Sequence, residues 1–294
     1  MCSRRQWPRV GAKPNGWGSD AVAVRVPATS ANMGPGFDAL GVALTLHADV
    51  GLVGVDGTPA DAREAEDSHP AQVAFVRAGG SGRVWVRSEI PIGRGLGFSG
   101  AVRIGGALVA EQQQNGSFVH RSPAALALCT ELEGHADNVG PALCGGVVVT
   151  ADGRVVSIPV AMRPAFVAWI PGTTTSTSES RRRIGPEVTL EAAVFNIART
   201  AMLVAALATG DTAALREATR DAIHQDIRFA AAPGSLAAFE AGLAAGAWCG
   251  WLSGSGPTVT FMCAPDEAHE FAARLPADGH TKVLGIDGEG ARTL

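Results

Sequence analysis

The nine residues from Gly93 to Ala101, GRGLGFSGA, contain four glycines. Ala101, Ile104, Leu108 and Val109 follow at helical spacing, so a helix is predicted from near Ser99 to about Gln114. Glycine lets backbone approach a ligand closely, and the first turn of a helix offers unpaired N–H groups and the positive end of its dipole. The stretch can therefore cradle a phosphate, or it can be a tight turn without a ligand. It is not a Walker loop, because no Lys-Ser/Thr pair follows the glycines. Gly95, Gly97 and Gly100 meet the G-x-G-x-x-G spacing of dinucleotide sites, but the context fails. Residues Glu89 to Arg94 separate the preceding strand from the glycines, and Gln112-Gln113-Gln114-Asn115-Gly116 stands where an acid-ended strand is required.

Strands are expected at Ala21 to Val26, Leu44 to Val55, Arg83 to Arg87, Val147 to Thr150, Val155 to Val160 and Ala165 to Ile170. The acidic stretch from Asp56 to Pro70 reads as a loop, with a short helix at Ala71 to Arg77. Ser122 as N-cap and Pro123 at the first turn start a helix that runs to Leu132. Thr173 to Ser180 reads as a Thr/Ser-rich loop before Arg181-Arg182-Arg183. Helices are expected at Leu190 to Thr209, Ala213 to Ile223 and Ser235 to Ala245. The segment GWLSGSGPTVTFMC (Gly250 to Cys263) then reads as a glycine-rich turn feeding a β-branched strand, followed by another helix and a strand near Lys282 to Ile286. This alternation makes an α+β chain with a boundary between Ile170 and Thr189, giving units 21–170 and 171–294. Residues 1–20 read as a loose extension or a misassigned start, because Arg4, Arg5, Arg9 and Lys13 lack the apolar centre of a secretory signal.

With 46% hydrophobic and 18% charged residues among 294, the chain can bury a substantial core. No uninterrupted apolar run approaches the ~18 residues of a membrane span, Ala201 to Ala208 being the nearest, so no membrane segment is expected. A net charge of −4, with no basic block interleaved with aromatics, argues against nucleic acid. The five cysteines are scattered and form no Cys-x-x-Cys pair, which suits a reducing, cytoplasmic setting. Lysine occurs only at positions 13 and 282, so an anionic ligand must be met by arginine, metal or backbone N–H.

Four segments change the weight of the glycine loop: VPATSANMGPGFDALGVAL (Val26 to Leu44), IPIGRGLGFSGA (Ile90 to Ala101), EGHADNVGPALCGG (Glu133 to Gly146) and LSGSGPTV (Leu252 to Val259). In this order they resemble the signature motifs of the GHMP kinase superfamily, and within it most resemble the homoserine kinase family. TSTSESRRRIGP and IHQDIRFAAAPG support the match, which spans residues 21 to 286. The resemblance implies a two-lobed α+β fold, an N-terminal ATP-binding domain and a C-terminal ferredoxin-like domain. It also implies a cytoplasmic enzyme of threonine biosynthesis that transfers phosphate from ATP, with Mg2+, to the hydroxyl of L-homoserine, and it leaves room for a homodimer. A kinase for another small hydroxylated metabolite, or a ligand-binding protein on the same fold without kinase activity, stay open as alternatives.

By the same resemblance, Pro91, Gly93, Arg94, Gly95, Leu96, Gly97, Phe98, Ser99 and Gly100 wrap the triphosphate. Ser99 stands near the metal, with Glu131 favoured over Glu133 as its acidic ligand. Asn32, Asp38, His135, Asp137 and Asn138 meet the amino-acid substrate, and Arg228 grips its carboxylate together with Arg181 or Arg182. Spacing from Thr177 favours Arg181, whereas spacing back from Pro186 favours Arg182. Asn138, Arg181 and Ser99 are the implied catalytic set. Some relatives use an aspartate base where asparagine stands here, and Asn138 cannot take a proton at neutral pH. Related loops read GLGSSAA, so Phe98 replaces a serine and either crowds the phosphate or turns toward the core.

Overall fold

The computed structural model describes residues 22–55 and 58–294. The expected extension over residues 1–20, with Ala21 and Asp56, lies outside them. The first sheet grows from two long strands, β1 (Ala23–Ala31) and β2 (Leu40–Leu52), paired antiparallel with a register shift between Pro27 and Ala28. A short β3 (Arg63–Glu64), helix α1 (Pro70–Arg77), β4 (Val84–Ser88), α2 (Phe98–Asn115), α3 (Pro123–Glu133), α4 (Val139–Cys144), β5 (Val147–Ala151) and β6 (Arg154–Ile158) follow.

β2 is long enough to serve two neighbours: Leu40–Val42 pairs with β5, and Ala48–Leu52 pairs with β4. Its register sets Asp49 opposite both Arg25 and Arg87, so two guanidiniums close on one buried carboxylate at 2.8 and 2.6 Å. α2 lies across β1 and β2 and packs its Ala101, Ile104 and Leu108 face into the core. The helix expected from its periodicity therefore forms with its start at the end of the glycine loop.

The second half contains β7 (Ala165–Pro171), α5 (Thr177–Ile184), α6 (Leu190–Thr209), α7 (Leu215–Ala218), α8 (Gln225–Ala230), α9 (Pro233–Ala244), β8 (Cys249–Leu252), β9 (Val259–Cys263), α10 (Ala268–Ala273), β10 (Gly279–Leu284) and β11 (Arg292–Thr293). Its sheet is antiparallel in the order β10-β7-β9-β8, which is 4-1-3-2 in chain order, with helices between its first and second and its third and fourth strands. That is the ferredoxin-like arrangement.

Hydrogen bonding shifts the expected division of the chain. β7 belongs to the second sheet, and its two faces serve different cores: Phe166, Ala168 and Ile170 join the larger one, Ala165, Val167 and Trp169 the smaller. After β10 the chain returns to the first sheet, where Ile286 bridges Leu44 and Arg292 pairs with Arg25. A strand buried on both faces shows in its sequence that it is central, but not to which sheet it belongs.

Three local expectations also change. Ser176 caps α5 by accepting from Glu179 N–H, so half of the expected Thr/Ser loop is helical. The helix expected at Ala213 to Ile223 stops at Ala218, where Thr219 hydrogen-bonds back to Leu215. Cys249 to Leu252 is a strand rather than part of the turn. α6, by length and composition, meets the criterion for a membrane span. Reading for uninterrupted apolar runs overlooks it because Glu191 and Arg199 interrupt the stretch.

Candidate active site

The two lobes meet over the glycine loop. Ser253 Oγ donates to Gly95 O at 2.6 Å, Thr29 N–H to Leu96 O at 3.2 Å, and Thr175 N–H to Gly93 O at 3.0 Å. Arg94 reaches Gly172 O at 2.7 Å. The loop is thus held from β1, from the turn after β7 and from the turn after β8. Gly97 is the N-cap of α2, at φ +67°, with no side chain capping it. A Cβ there would lie 1.8 Å from Thr29 Oγ1 and 3.0 Å from Asn138 Oδ1, so only glycine fits. The uncapped N-terminus of an 18-residue helix opens into a cleft of about 360 Å3.

Pro91, Gly93, Arg94, Gly95, Gly97, Phe98, Ser99 and Gly100 all line this cleft. Leu96 does not, a correction to the expected loop set: its side chain is fully buried, because the outward turn at the glycines requires one anchor into the core. Phe98 occupies the first helical position, partly packed against the core and edge-on to His69 with ring centroids 6.0 Å apart. Its ring forms an apolar wall with His69 and Pro70, leaving the loop backbone facing the cleft.

Ser99 Oγ donates to Glu133 Oε1 at 2.5 Å. Arg103, one helical turn further along α2, donates to the same oxygen at 2.5 Å and approaches Ser99 Oγ at 3.3 Å. Glu131, the favoured metal ligand, is placed elsewhere. It stands two residues earlier on α3, about 200° around the helix, where it accepts from Arg77 at 2.8 Å on the open surface. Glu133 is the carboxylate that faces Ser99. Arg103 had no signal in the sequence beyond being a polar position in an apolar helix.

Across the cleft, Asp38, His135 and Asp137 offer ligand atoms that all lie within 4.8 Å of one another. His135 Nδ1 and Asp137 Oδ1 are 2.6 Å apart. Burial works against protonation of His135, but the hydrogen bond and charge of Asp137, aided by Asp38 and Glu133, outweigh it and raise the imidazole above its ordinary value. Two carboxylates beside each other in a half-buried recess suit a cation, whether an ammonium or a metal ion. Asn138 accepts from Thr29 Oγ1 at 2.7 Å, which fixes its amide at the head of α4.

Asn32 is buried, and both ends of its amide are spent internally: Oδ1 accepts from Asp38 N–H at 3.1 Å and Nδ2 donates to Gly254 O at 3.0 Å. It braces the cleft floor. Asn32, Met33 and Asp38 all have positive φ, at 69°, 48° and 58°, so this turn is strained and is held by its surroundings.

Arg181 projects from α5 to Asp38 Oδ1 at 2.6 Å, and the hydrogen bond raises its pKa further. Arg182, the alternative, is one residue or about 100° away, exposed and outside the cleft lining. Arg228 on α8 is buried and donates to Gly254 O at 2.8 Å and to His224 Nδ1 at 3.1 Å. Burial is the main reason its pKa falls to about 10, and it stays charged at neutral pH. His224 uses its other nitrogen on Gly34 O at 2.8 Å, which fits a neutral ring that burial holds below its ordinary pKa. Phe37 was not anticipated: Arg181 and Arg228 each stand 5.3 Å from its ring centroid, so one aromatic face gathers both guanidiniums.

The family model of the GHMP kinases N terminal domain matches residues 68–146, and that of GHMP kinases C terminal matches residues 203–281. A homoserine kinase of Thermus thermophilus is 38% identical over 292 residues, covering 92% of this chain and 98% of its own. The chain belongs to the GHMP kinases. Homoserine kinase of Clostridium beijerinckii is a further relative of this GHMP kinase, 36% identical over 265 residues, with 85% and 88% of the two chains covered. Among solved structures, homoserine kinase of Cytophaga hutchinsonii superposes with a TM-score of 0.79 at 25% identity, covering 97% of this chain and all of its own. The mevalonate kinase of Methanococcus jannaschii, at 12% identity and a TM-score of 0.68, shares the fold. The glycine loop, uncapped helix and acidic recess described above therefore sit in a kinase scaffold.

Proposed function

We propose that this GHMP kinase is a homoserine kinase, transferring the γ-phosphate of ATP to the side-chain hydroxyl of L-homoserine to give O-phospho-L-homoserine. The observation that carries the reading is the pairing of Asp38 and Asp137 with Arg181 and Arg228 in one cleft whose other wall is the glycine loop. An α-amino acid presents one ammonium and one carboxylate, and few other small alcohols need both sets of partners. The named relatives agree with it. The reading places the enzyme in the cytoplasm, on the route to threonine.

Phosphoryl transfer asks a protein mainly for positioning and charge neutralisation. The free N–H groups at the start of α2 receive phosphate oxygens. The recess of Asp38 and Asp137 takes the ammonium, while Arg228 and Arg181 take the carboxylate by charge-assisted hydrogen bonds. Asn138, locked by Thr29, orients the acceptor hydroxyl and cannot remove its proton. The proton leaves late, to the transferring phosphate. For Mg2+, the Ser99 hydroxyl and Glu133 carboxylate form an oxygen pair of suitable hardness, with phosphate oxygens and water to complete the shell. They fit once Arg103 gives up its share of Glu133. When bound, Mg2+ neutralises phosphate charge that this lysine-poor chain otherwise leaves to arginine and backbone.

Steady-state rates with L-homoserine, 4-hydroxybutyrate and 3-aminopropan-1-ol test the reading, since the last two lack the ammonium and the carboxylate respectively. Each deletion leaves charged partners unpaired, so kcat/KM falls at least about 100-fold for each. Equal rates on all three would point to a different acceptor.

A further inference from the structure

Phe37 stands in the turn between β1 and β2, and the backbone is pinned on both sides of it. Ala39 and Leu40 N–H donate to Gly36 O at 3.0 and 2.9 Å, and Asp38 N–H donates to Asn32 Oδ1 at 3.1 Å. The second half of the chain grips the same turn, His224 bonding to Gly34 O at 2.8 Å and Asn196 Nδ2 to Pro35 O at 3.1 Å. The ring of Phe37 therefore has a set place, half-buried where the two lobes meet, with His224 stacked on it at 5.1 Å between centroids.

Two guanidiniums from different helices meet at that ring, Arg181 of α5 and Arg228 of α8, each with its central carbon 5.3 Å from the centroid. Like charges so placed repel: burial first, and then the charge of Arg181, work against the charge on Arg228. Arg181 has Asp38 to hold it, at 2.6 Å, yet its side chain is 43% exposed and free to swing toward water. Arg228 is 5% exposed and bonds only to neutral acceptors, Gly254 O and His224 Nδ1, while its buried Nε finds no partner among the described residues. What Phe37 adds is the negative face of its π system, which attracts a cation most strongly where water is excluded.

We propose that Phe37 is the positioning residue of the carboxylate site, on the reading of the cleft as a homoserine site: its ring holds the guanidiniums of Arg181 and Arg228 together before the substrate arrives. Phe37 is not among the residues that line the cleft, so it acts through the two arginines. Without the ring, Arg181 follows Asp38 or the solvent, and an incoming carboxylate must gather both cations at the expense of its own binding energy. An aliphatic side chain fills the same space but offers a cation no such face. A substrate without a carboxylate makes no use of the ring.

Fluorination of the Phe37 ring tests the proposal, because ring fluorines drain the π face while nearly preserving the shape of the side chain. The full chain carrying mono-, di- or trifluorophenylalanine at this one position is assayed with ATP and Mg2+ on L-homoserine and on 3-aminopropan-1-ol. With L-homoserine, KM rises with each added fluorine, reaching about tenfold in the trifluoro form, while kcat stays within about twofold of the parent's. With 3-aminopropan-1-ol, which has no carboxylate, kcat/KM is the same across the series. A KM for L-homoserine that ignores fluorination, or a parallel loss with 3-aminopropan-1-ol, overturns the role of Phe37 and leaves the proposed function standing. A parent protein that does not act on L-homoserine overturns the proposed function, and the role of Phe37 with it.

Discussion

Among single residues, the conformation of Gly97 and the charge of Arg103 matter most to the site. Gly97→Ala forces a Cβ to within 1.8 Å of Thr29 Oγ1 at a positive φ, so Thr29, Asn138 and the loop must move together. The expected result is a destabilisation of about 1–3 kcal/mol, read by urea unfolding, and a fall in kcat/KM of at least about 100-fold. Arg103 shares the Glu133 oxygen that also accepts from Ser99. If that carboxylate serves Mg2+, Arg103→Met removes its competitor, and nucleotide-dependent Mn2+ binding measured by electron paramagnetic resonance tightens about tenfold, or ~1.4 kcal/mol. Unchanged or weaker Mn2+ binding would exclude the competition. The sequence motifs picked out Ser99 and both acidic candidates, but Glu131 and Glu133 differ only in which side of α3 they face. Glu131 faces outward to Arg77 on a neighbouring helix, and no local pattern encodes that contact. Phe98 was the residue that most threatened the phosphate-loop reading; its ring turns to His69 and leaves the backbone turn intact.

Local elements were legible where pattern and capping agree. α2 follows from its periodicity, α3 from Ser122 as its cap and α6 from its Ala-rich stretch, which Thr189 caps in the structure. α5 was obscured because its first turn is rich in Thr and Ser, residues that favour loops until one of them caps a helix. That helix is also what separates Arg181 from Arg182, which spacing alone could not do. The returning tail after β10 was illegible, since its two-residue β11 depends on side-chain anchoring. Asp287 supplies it: its carboxylate accepts from His47 at 2.7 Å, from Arg292 at 3.0 Å, and from Glu289 and Gly290 N–H at 3.0 and 2.9 Å. Burial alone would raise its pKa, but the His47 hydrogen bond, the Arg292 charge and the two N–H groups bring it down to about 2, from 3.8 ordinarily. A depressed carboxylate pKa stabilises the fold above the unfolded value and loses that contribution as pH falls toward 2. Asp287→Asn therefore costs about 2 kcal/mol at pH 7, and urea unfolding shows the gap to the parent protein closing between about pH 4 and 2. A gap independent of pH would mean that the charge of Asp287 contributes nothing.

For the whole molecule, composition bounds a compact α+β chain and the ordered motifs imply two lobes, but the path between them had to be seen. β7 looks like the last strand of the first unit and is instead the first of the second sheet, packing one face into each core. The cleft depends on this sharing. β1 and the loops after β7 and β8 converge on the glycine loop only because the two sheets are fastened together, through Ser30 to Ser253 at 2.8 Å and Ser253 to Gly95. The cleft so formed sets the glycine loop, for a triphosphate, within reach of the Asp38, Asp137, Arg181 and Arg228 cluster, for an α-amino acid bearing a hydroxyl. Phosphorus NMR of the full chain with ATP, Mg2+ and L-homoserine, run beside mevalonate and shikimate, tests it most directly. The expected result is a phosphomonoester resonance of O-phospho-L-homoserine, growing as ADP appears and absent with the other two alcohols. ATP left unchanged in the presence of L-homoserine, or a phosphomonoester formed equally well from mevalonate, would contradict it.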